Sequence, residues 1–88
     1  MDITLARTFL MVAETGSFIE AARRMNVTQS TGSARIKVLE GQLGRPLFER
    51  SKSGAVLTGA GQQFQKHALA IVRVWQHAQL EVGLTDQH

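Results

Sequence analysis

The stretch that decides the fold is Gly16-Ser17-Phe18-Ile19-Glu20-Ala21-Ala22-Arg23-Arg24-Met25-Asn26-Val27-Thr28-Gln29-Ser30. It holds two helix starts with one tight turn between them. Ser17 and Glu20 stand three apart, the spacing of a capping box. The serine hydroxyl is expected to take the Glu20 amide, and the Glu20 carboxylate to return to the Ser17 amide. A short helix of about two turns is predicted through Ala21, Ala22 and Met25. Asn26 breaks it, because asparagine tolerates the left-handed backbone of a tight turn. Val27 is expected to plug the core. Thr28 is a second N-cap, and a third helix is predicted from it to about Leu43. Ile36, Leu39 and Leu43 form its expected buried stripe, and Gly44 and Pro46 end it. Two helices joined this way make a helix-turn-helix unit.

Working outward, Thr4 to Thr15 reads as a first helix. Leu5, Phe9, Val12 and Ala13 recur on one face, widened by Ala6 and Leu10. Gly16 is its expected C-terminal cap. On the other side, Phe48 to Ser51 and Ala55 to Leu57 read as short strands. The polar Ser51-Lys52-Ser53-Gly54 turn joins them into a hairpin. Thr58 then caps a long helix predicted to reach Val82, with Ala60, Phe64, Leu69, Val72, Trp75 and Val82 as its main apolar residues. Gly59 and Gly61 weaken its first turn. Gly83 to His88 is expected to fray, with 85–88 a disordered tail.

Composition narrows the function classes. Eighty-eight residues, 43% of them hydrophobic, support one small domain. A chain this short buries only about 60–65% of its unfolded surface, which favours help from a partner subunit. There is no cysteine, so disulfides and thiolate metal sites are excluded. The N-terminus shows no signal-peptide pattern, and no apolar run approaches the roughly 20 residues of a membrane helix. Catalysis finds no foothold: there is no Cys or Tyr, and His67, His77 and His88 match no nucleophile or carboxylate dyad. His67 and His77 are ten apart, not the three or four that place two ligands on one helical face. Neither an enzyme nor a metal or cofactor site is expected.

The net charge of +3 is unevenly spread. Arg23, Arg24, Arg35, Lys37, Arg45, Arg50, Lys52 and Lys66 face only Glu40 and Glu49 between residues 21 and 66. A basic middle implies a polyanion partner, although a solvated mixed-charge surface gives the same count. The start of the third helix sharpens the choice. Free amides at a helix N-terminus attract phosphate. Gln29, Ser30, Thr31 and Ser33 can bond to base edges, while Arg35 and Lys37 supply charge. Arg50 and Lys52 lie on the hairpin, within reach of a backbone. Each has a plainer reading. Thr28 also serves as an ordinary N-cap, Ser30, Thr31 and Ser33 as exposed helix residues, Arg23 and Arg24 as a solvated face, and Lys52 as a turn residue.

The run from Ala6 to Gly61 resembles the N-terminal domain of LysR-type transcriptional regulators. The matching residues are Phe9, Val12-Ala13-Glu14, Gly16-Ser17-Phe18, Ala21-Ala22, Val27-Thr28-Gln29-Ser30, Ser33, Ile36, Leu39-Glu40, Leu43-Gly44, Pro46-Leu47-Phe48, Arg50, Leu57-Thr58, Ala60 and Gly61. They cover most of the chain in the family's order. The resemblance implies a mainly α fold: a winged helix-turn-helix at 1–58, with a small β-hairpin wing, and a long C-terminal linker helix at 59–84. It implies a homodimer whose linker helices pack antiparallel, bound to an interrupted inverted repeat of double-stranded DNA near a promoter. Tetramer assembly is open to the full-length protein. Thr28, Gln29, Ser30, Thr31, Ser33, Arg35, Lys37, Arg50 and Lys52 are the implied DNA contacts. Leu69, Val72, Trp75 and Gln79 are the implied dimer interface. A small-molecule inducer is expected only for a sensor domain beyond this chain, which is read as ending in the hinge after the linker helix. A cytoplasmic, nucleoid-associated regulator follows.

This sequence departs from the family's usual pattern at several positions. Ser30 stands where proline is common, Ala34 where arginine is common, and Ser53 where the wing tip often carries arginine. Gly32 stands where a bulky apolar residue usually packs under the recognition helix, so Gly32→Val is expected to raise the melting temperature. The competing reading is a helical protein-interaction module with an incidental basic face. Salt-dependent binding to duplex DNA separates the two.

Overall fold

The computed structural model describes residues 2–85. In chain order the elements are α1 (Ile3–Thr15), α2 (Phe18–Arg24), α3 (Gln29–Leu43), β1 (Phe48–Ser51), β2 (Gly54–Leu57) and α4 (Gly59–Thr85). This is the predicted succession, with boundaries shifted by one to three residues. Asp2 begins α1 one residue early by accepting the Thr4 amide at 2.9 Å. Ser17 caps α2, and Thr28 caps α3 through the Thr31 amide at 3.1 Å. Asn26 takes φ +57° between them, as its place in the turn requires.

The four phenylalanines form a continuous line through the body. Phe64 of α4 meets Phe9 of α1 edge-on, with ring centroids 5.0 Å apart. Phe9 lies 5.3 Å from Phe48 of β1, and Phe48 lies 5.7 Å from Phe18 of α2. Around this line Leu5, Ala6, Val12, Ala21, Ile36, Leu39, Leu47 and Ala68 are buried. Phe9 is wholly enclosed, so Phe9→Ala would remove about 3–5 kcal/mol, a large part of a small domain's stability.

The hairpin is a two-stranded antiparallel sheet with Phe48 opposite Leu57 and Ser51 opposite Gly54. Its second strand begins one residue earlier than predicted, which leaves Lys52 and Ser53 at the tip. Gly54 explains why the wing stands where it does. Its φ is +135°, and a Cβ there would collide with the Gly16 carbonyl oxygen. The next amide, Ala55, donates to that same oxygen at 2.9 Å. The wing is thereby stitched to the turn between α1 and α2. A second close approach fixes α4. A Cβ on Gly61 would collide with the Leu47 carbonyl oxygen, which accepts the Thr58 amide at 3.0 Å. Gly61 therefore does not weaken the start of α4 for nothing: it lets the helix seat against Leu47.

Several expectations need correction. Leu43 is 44% exposed, because the end of α3 runs past the core that covers Ile36 and Leu39. Val27 is only half-buried at the turn and lies outside the core cluster. Along α4 the enclosed apolar side chain is that of Ala68, among the described residues, whereas Leu69 is 40% exposed and Val82 60%. Gly83 and Leu84, expected beyond the helix, are helical: α4 continues through them to Thr85. The tail predicted beyond that lies outside the described residues.

Candidate nucleic-acid interface

α3 buries Gly32, Ile36 and Leu39 against the body. Helical geometry then turns Ser30, Ala34, Lys37 and Gly41 to the opposite side, and all four are exposed. Thr28, Gln29 and Thr31 complete an uncovered first turn. The helix start thus presents amide groups and short polar side chains with nothing of the described chain over them. Thr28 does more than cap the backbone. Its hydroxyl also donates to the Thr31 hydroxyl at 3.0 Å.

The wing lies beside this helix. One cleft between them is lined by Ser17, Phe18, Ile19, Gln29, Arg50 and Lys52, among others. The next cleft along is lined by Ser30, Ser33, Ala34, Lys37 and Arg50. Arg50 is the hinge of the arrangement. Its Nη2 donates to the Ser33 hydroxyl at 2.9 Å, and its guanidinium carbon stands 3.6 Å from the centre of the Phe18 ring. A cation over an aromatic face gains about 0.5–1 kcal/mol at an exposed site. Arg50 is therefore held by α2 and α3 at once, a contact that spans distant parts of the sequence and leaves no local pattern in it.

Arg35 goes the other way. Its Nη1 lies 3.5 Å from the hydroxyl of Thr8 on α1, and the residue is half-buried. Thr8 itself is 1% exposed and also donates to the Thr4 carbonyl at 2.8 Å. Sequence reasoning placed no role on Thr8, which sits on the face of α1 toward α3. Arg35 is thus on the flank of α3 opposite Ser33 and is not brought together with the wing.

The capping box forms by half. The Glu20 amide donates to the Ser17 hydroxyl at 3.1 Å, but the carboxylate does not return to the Ser17 amide. That amide bonds instead to the Thr15 hydroxyl at 3.3 Å. The Glu20 carboxylate is taken by Arg23, whose Nε lies at 3.0 Å, and by Arg24 at 3.2 Å. These two hydrogen-bonded guanidinium groups lower the Glu20 pKa from 4.5 to about 2. Arg23 and Arg24 are consequently paired rather than simply solvated. The cations left on the wing side of α3 are Lys37, Arg50 and Lys52.

The second half of α4 leaves the body. Residues 73–77 and 79–84 are exposed, and the molecule measures 53 Å in its long direction against 26 and 19 Å. An apolar groove runs along this stretch, lined by Ile3, Ala70, Ile71, Val74, Trp75 and Ala78. Of the predicted interface residues only Trp75 lines it. Val72 packs toward the core, and Leu69 and Gln79 lie on neighbouring faces of the exposed helix. No helix among the described residues is long and apolar enough to cross a membrane.

A short helix, a tight turn, a recognition-type helix and a hairpin packed beside it define a winged helix-turn-helix. The model of the bacterial regulatory helix-turn-helix protein, lysR family, matches residues 3–62, and the chain belongs to that family. It is 42% identical over all 88 residues to the HTH-type transcriptional regulator HdfR of Escherichia coli, of which it spans 32%. Among solved structures it is similar to the DNA-binding domain of CbnR in complex with DNA, at 31% identity and a TM-score of 0.91. That match covers 98% of this chain and 99% of the other. It is also similar to Vibrio fischeri DarR in complex with DNA, at 29% identity and a TM-score of 0.94, covering 99% of this chain and 30% of that one. The chain carries the helix-turn-helix DNA-binding domain of that family.

Proposed function

We propose that this chain binds double-stranded DNA sequence-specifically, as a homodimer on an interrupted inverted repeat near a promoter. The observation that carries the reading is that Gln29 of the helix start and Arg50 and Lys52 of the wing line one cleft. A duplex laid there meets a helix N-terminus in its major groove and two cations along its backbone. Thr28, Gln29, Ser30 and Thr31 enter the groove first. Ser33 works through Arg50, Lys37 and Lys52 contact phosphate, and Arg35 approaches the backbone from the α1 side. Two-fold symmetric protein on two-fold symmetric DNA is the expected geometry.

The second subunit sits on the apolar groove of α4. An exposed helix with Ile71, Val74, Trp75 and Ala78 along one side supports a packed partner helix better than bulk water. Trp75 is the centre of this interface; Leu69, Val72 and Gln79 border it. The regulator acts in the bacterial cytoplasm, on the nucleoid when bound. Its small-molecule inducer belongs to the sensor domain of the full-length protein, and no cofactor is assigned to these residues.

Fluorescence anisotropy against labelled duplex at two salt concentrations tests the reading. Affinity should fall steeply with salt, since each phosphate contact releases a counterion. Absence of binding at low salt would favour the interaction-module alternative.

A further inference from the structure

We propose that the outward face of α3 reads thymine through its C5-methyl group, using Ala34 and the methyl of Thr31, and carries no arginine that reads guanine. The inference rests on the DNA-binding reading above and adds a base preference to it.

Ala34 is exposed at the middle of the face that points away from the core. One turn before it are Ser30 and Thr31, and one turn after it are Lys37 and Val38, all exposed. Val38 is 52% exposed although apolar. The Thr31 hydroxyl oxygen accepts from the hydroxyl of Thr28, and the residue, with the methyl on the same Cβ, is exposed. The face that enters the groove is therefore short and rich in methyl groups. On a major-groove floor the one apolar group is the thymine methyl, and alanine and threonine methyls are its partners. Small side chains here also let the helix backbone come close to the base edges.

Guanine is read by a bidentate arginine or lysine reaching O6 and N7. Both arginines near this face are engaged elsewhere. Arg35 lies against Thr8 of α1, and Arg50 is held by Ser33 and the Phe18 ring. Lys37 is the remaining cation on α3, a point charge suited to phosphate.

The experiment starts from duplexes that the protein itself enriches from a random pool. One such duplex is resynthesised with deoxyuridine in place of thymidine, one position at a time in a single half-site. Uracil keeps the pairing and every hydrogen-bonding group and removes only the methyl. Affinity should fall about three- to five-fold at one or two positions per half-site, the scale of one buried methyl. Thr31→Ser removes the protein's methyl and keeps the hydroxyl bonded to Thr28. It should abolish the uracil sensitivity at one position, and Ala34→Gly at the other. Because the readout is sensitivity to uracil, a small loss of helix stability in either variant does not imitate it. Uracil tolerated at every position would overturn the inference while leaving salt-dependent DNA binding intact. If no duplex is enriched, the DNA-binding reading falls and this inference with it.

Discussion

At the scale of single residues, the glycines divide into those that leave room and those that fill it. A Cβ on Gly32 would meet the Ala22 Cβ at 3.8 Å, an ordinary contact between α3 and α2. Gly32→Ala should therefore stabilise the domain, by the roughly 1 kcal/mol that separates glycine from alanine inside a helix. In a domain of this size the melting temperature should rise by about 4–8 °C. Alanine is a cleaner variant than valine because it adds that one methyl alone. Gly61→Ala should do the opposite, since its methyl meets the Leu47 carbonyl oxygen. A loss of roughly 1–3 kcal/mol is expected from such overpacking. Thermal denaturation of the two variants side by side checks both signs; two shifts in the same direction would refute the distinction. Glu20 supplies a pH signature. Its carboxyl is held at about 2 in the folded chain against an ordinary 4.5, by Arg23 first and Arg24 second. A lowered pKa means that the pairing contributes to stability above about pH 4.5 and is lost as pH falls through 2. A carboxyl titration followed by NMR should put the Glu20 midpoint near 2 at low salt, rising in concentrated salt as the exposed pair is screened. A midpoint near 4.5 at low salt would mean that the pair does not form in solution.

At the scale of elements, the recognition helix and the wing are one device because Arg50 joins them. Arg50→Lys keeps the charge but loses the planar fork over Phe18 and the bond to Ser33. It should weaken binding to selected and unrelated duplexes alike. Ser33→Ala should weaken binding less in an Arg50→Ala background than alone, with a coupling of about 0.5–3 kcal/mol. Additive losses in that double-mutant cycle, read by anisotropy, would show that the pair is not coupled when DNA is bound. This contact also marks where sequence reading stops. The caps at Ser17 and Thr28, the turn at Asn26 and the strand pair were legible because each is set by neighbours a few residues apart. The destination of a long side chain is set by another element. Thus Arg35 reads as a charge supplied to DNA beside Lys37, yet it lies against Thr8; Arg50 reads as a wing cation, yet its guanidinium is packed on α2. Glu20 fitted a capping box, but two guanidinium groups outbid one distant amide for its oxygens. Leu43 continued the spacing of Ile36 and Leu39, but periodicity carries no information on where the core ends.

At the scale of the whole molecule, the proposed dimer would present its two recognition helices through α4. Its 27 residues span about 40 Å, and only its first half is packed on the body. Half-sites on one face of DNA lie a helical turn of about 34–36 Å apart, or a multiple of it. A protruding helix is therefore long enough to set that spacing if two copies pair along it. Trp75 reports on the pairing directly, because the chain has one Trp and no Tyr. It is 45% exposed in the single chain, beside Ile71, Val74 and Ala78. As protein concentration rises through the dimerisation range, its emission should move to shorter wavelength as the indole leaves water. Trp75→Glu puts a charge in that groove and should give a monomer by sedimentation equilibrium. Its melting temperature should match that of the wild type measured at monomeric concentrations, since Trp75 lies outside the core cluster. The same variant should bind an isolated half-site as well as the wild type does. On a duplex with both half-sites it should lose the extra affinity that linkage of two sites provides, a factor of about 10²–10⁴. If Trp75→Glu remains dimeric and keeps the two-site affinity, the interface lies elsewhere on α4, with Leu69 and Gln79 the next positions to substitute.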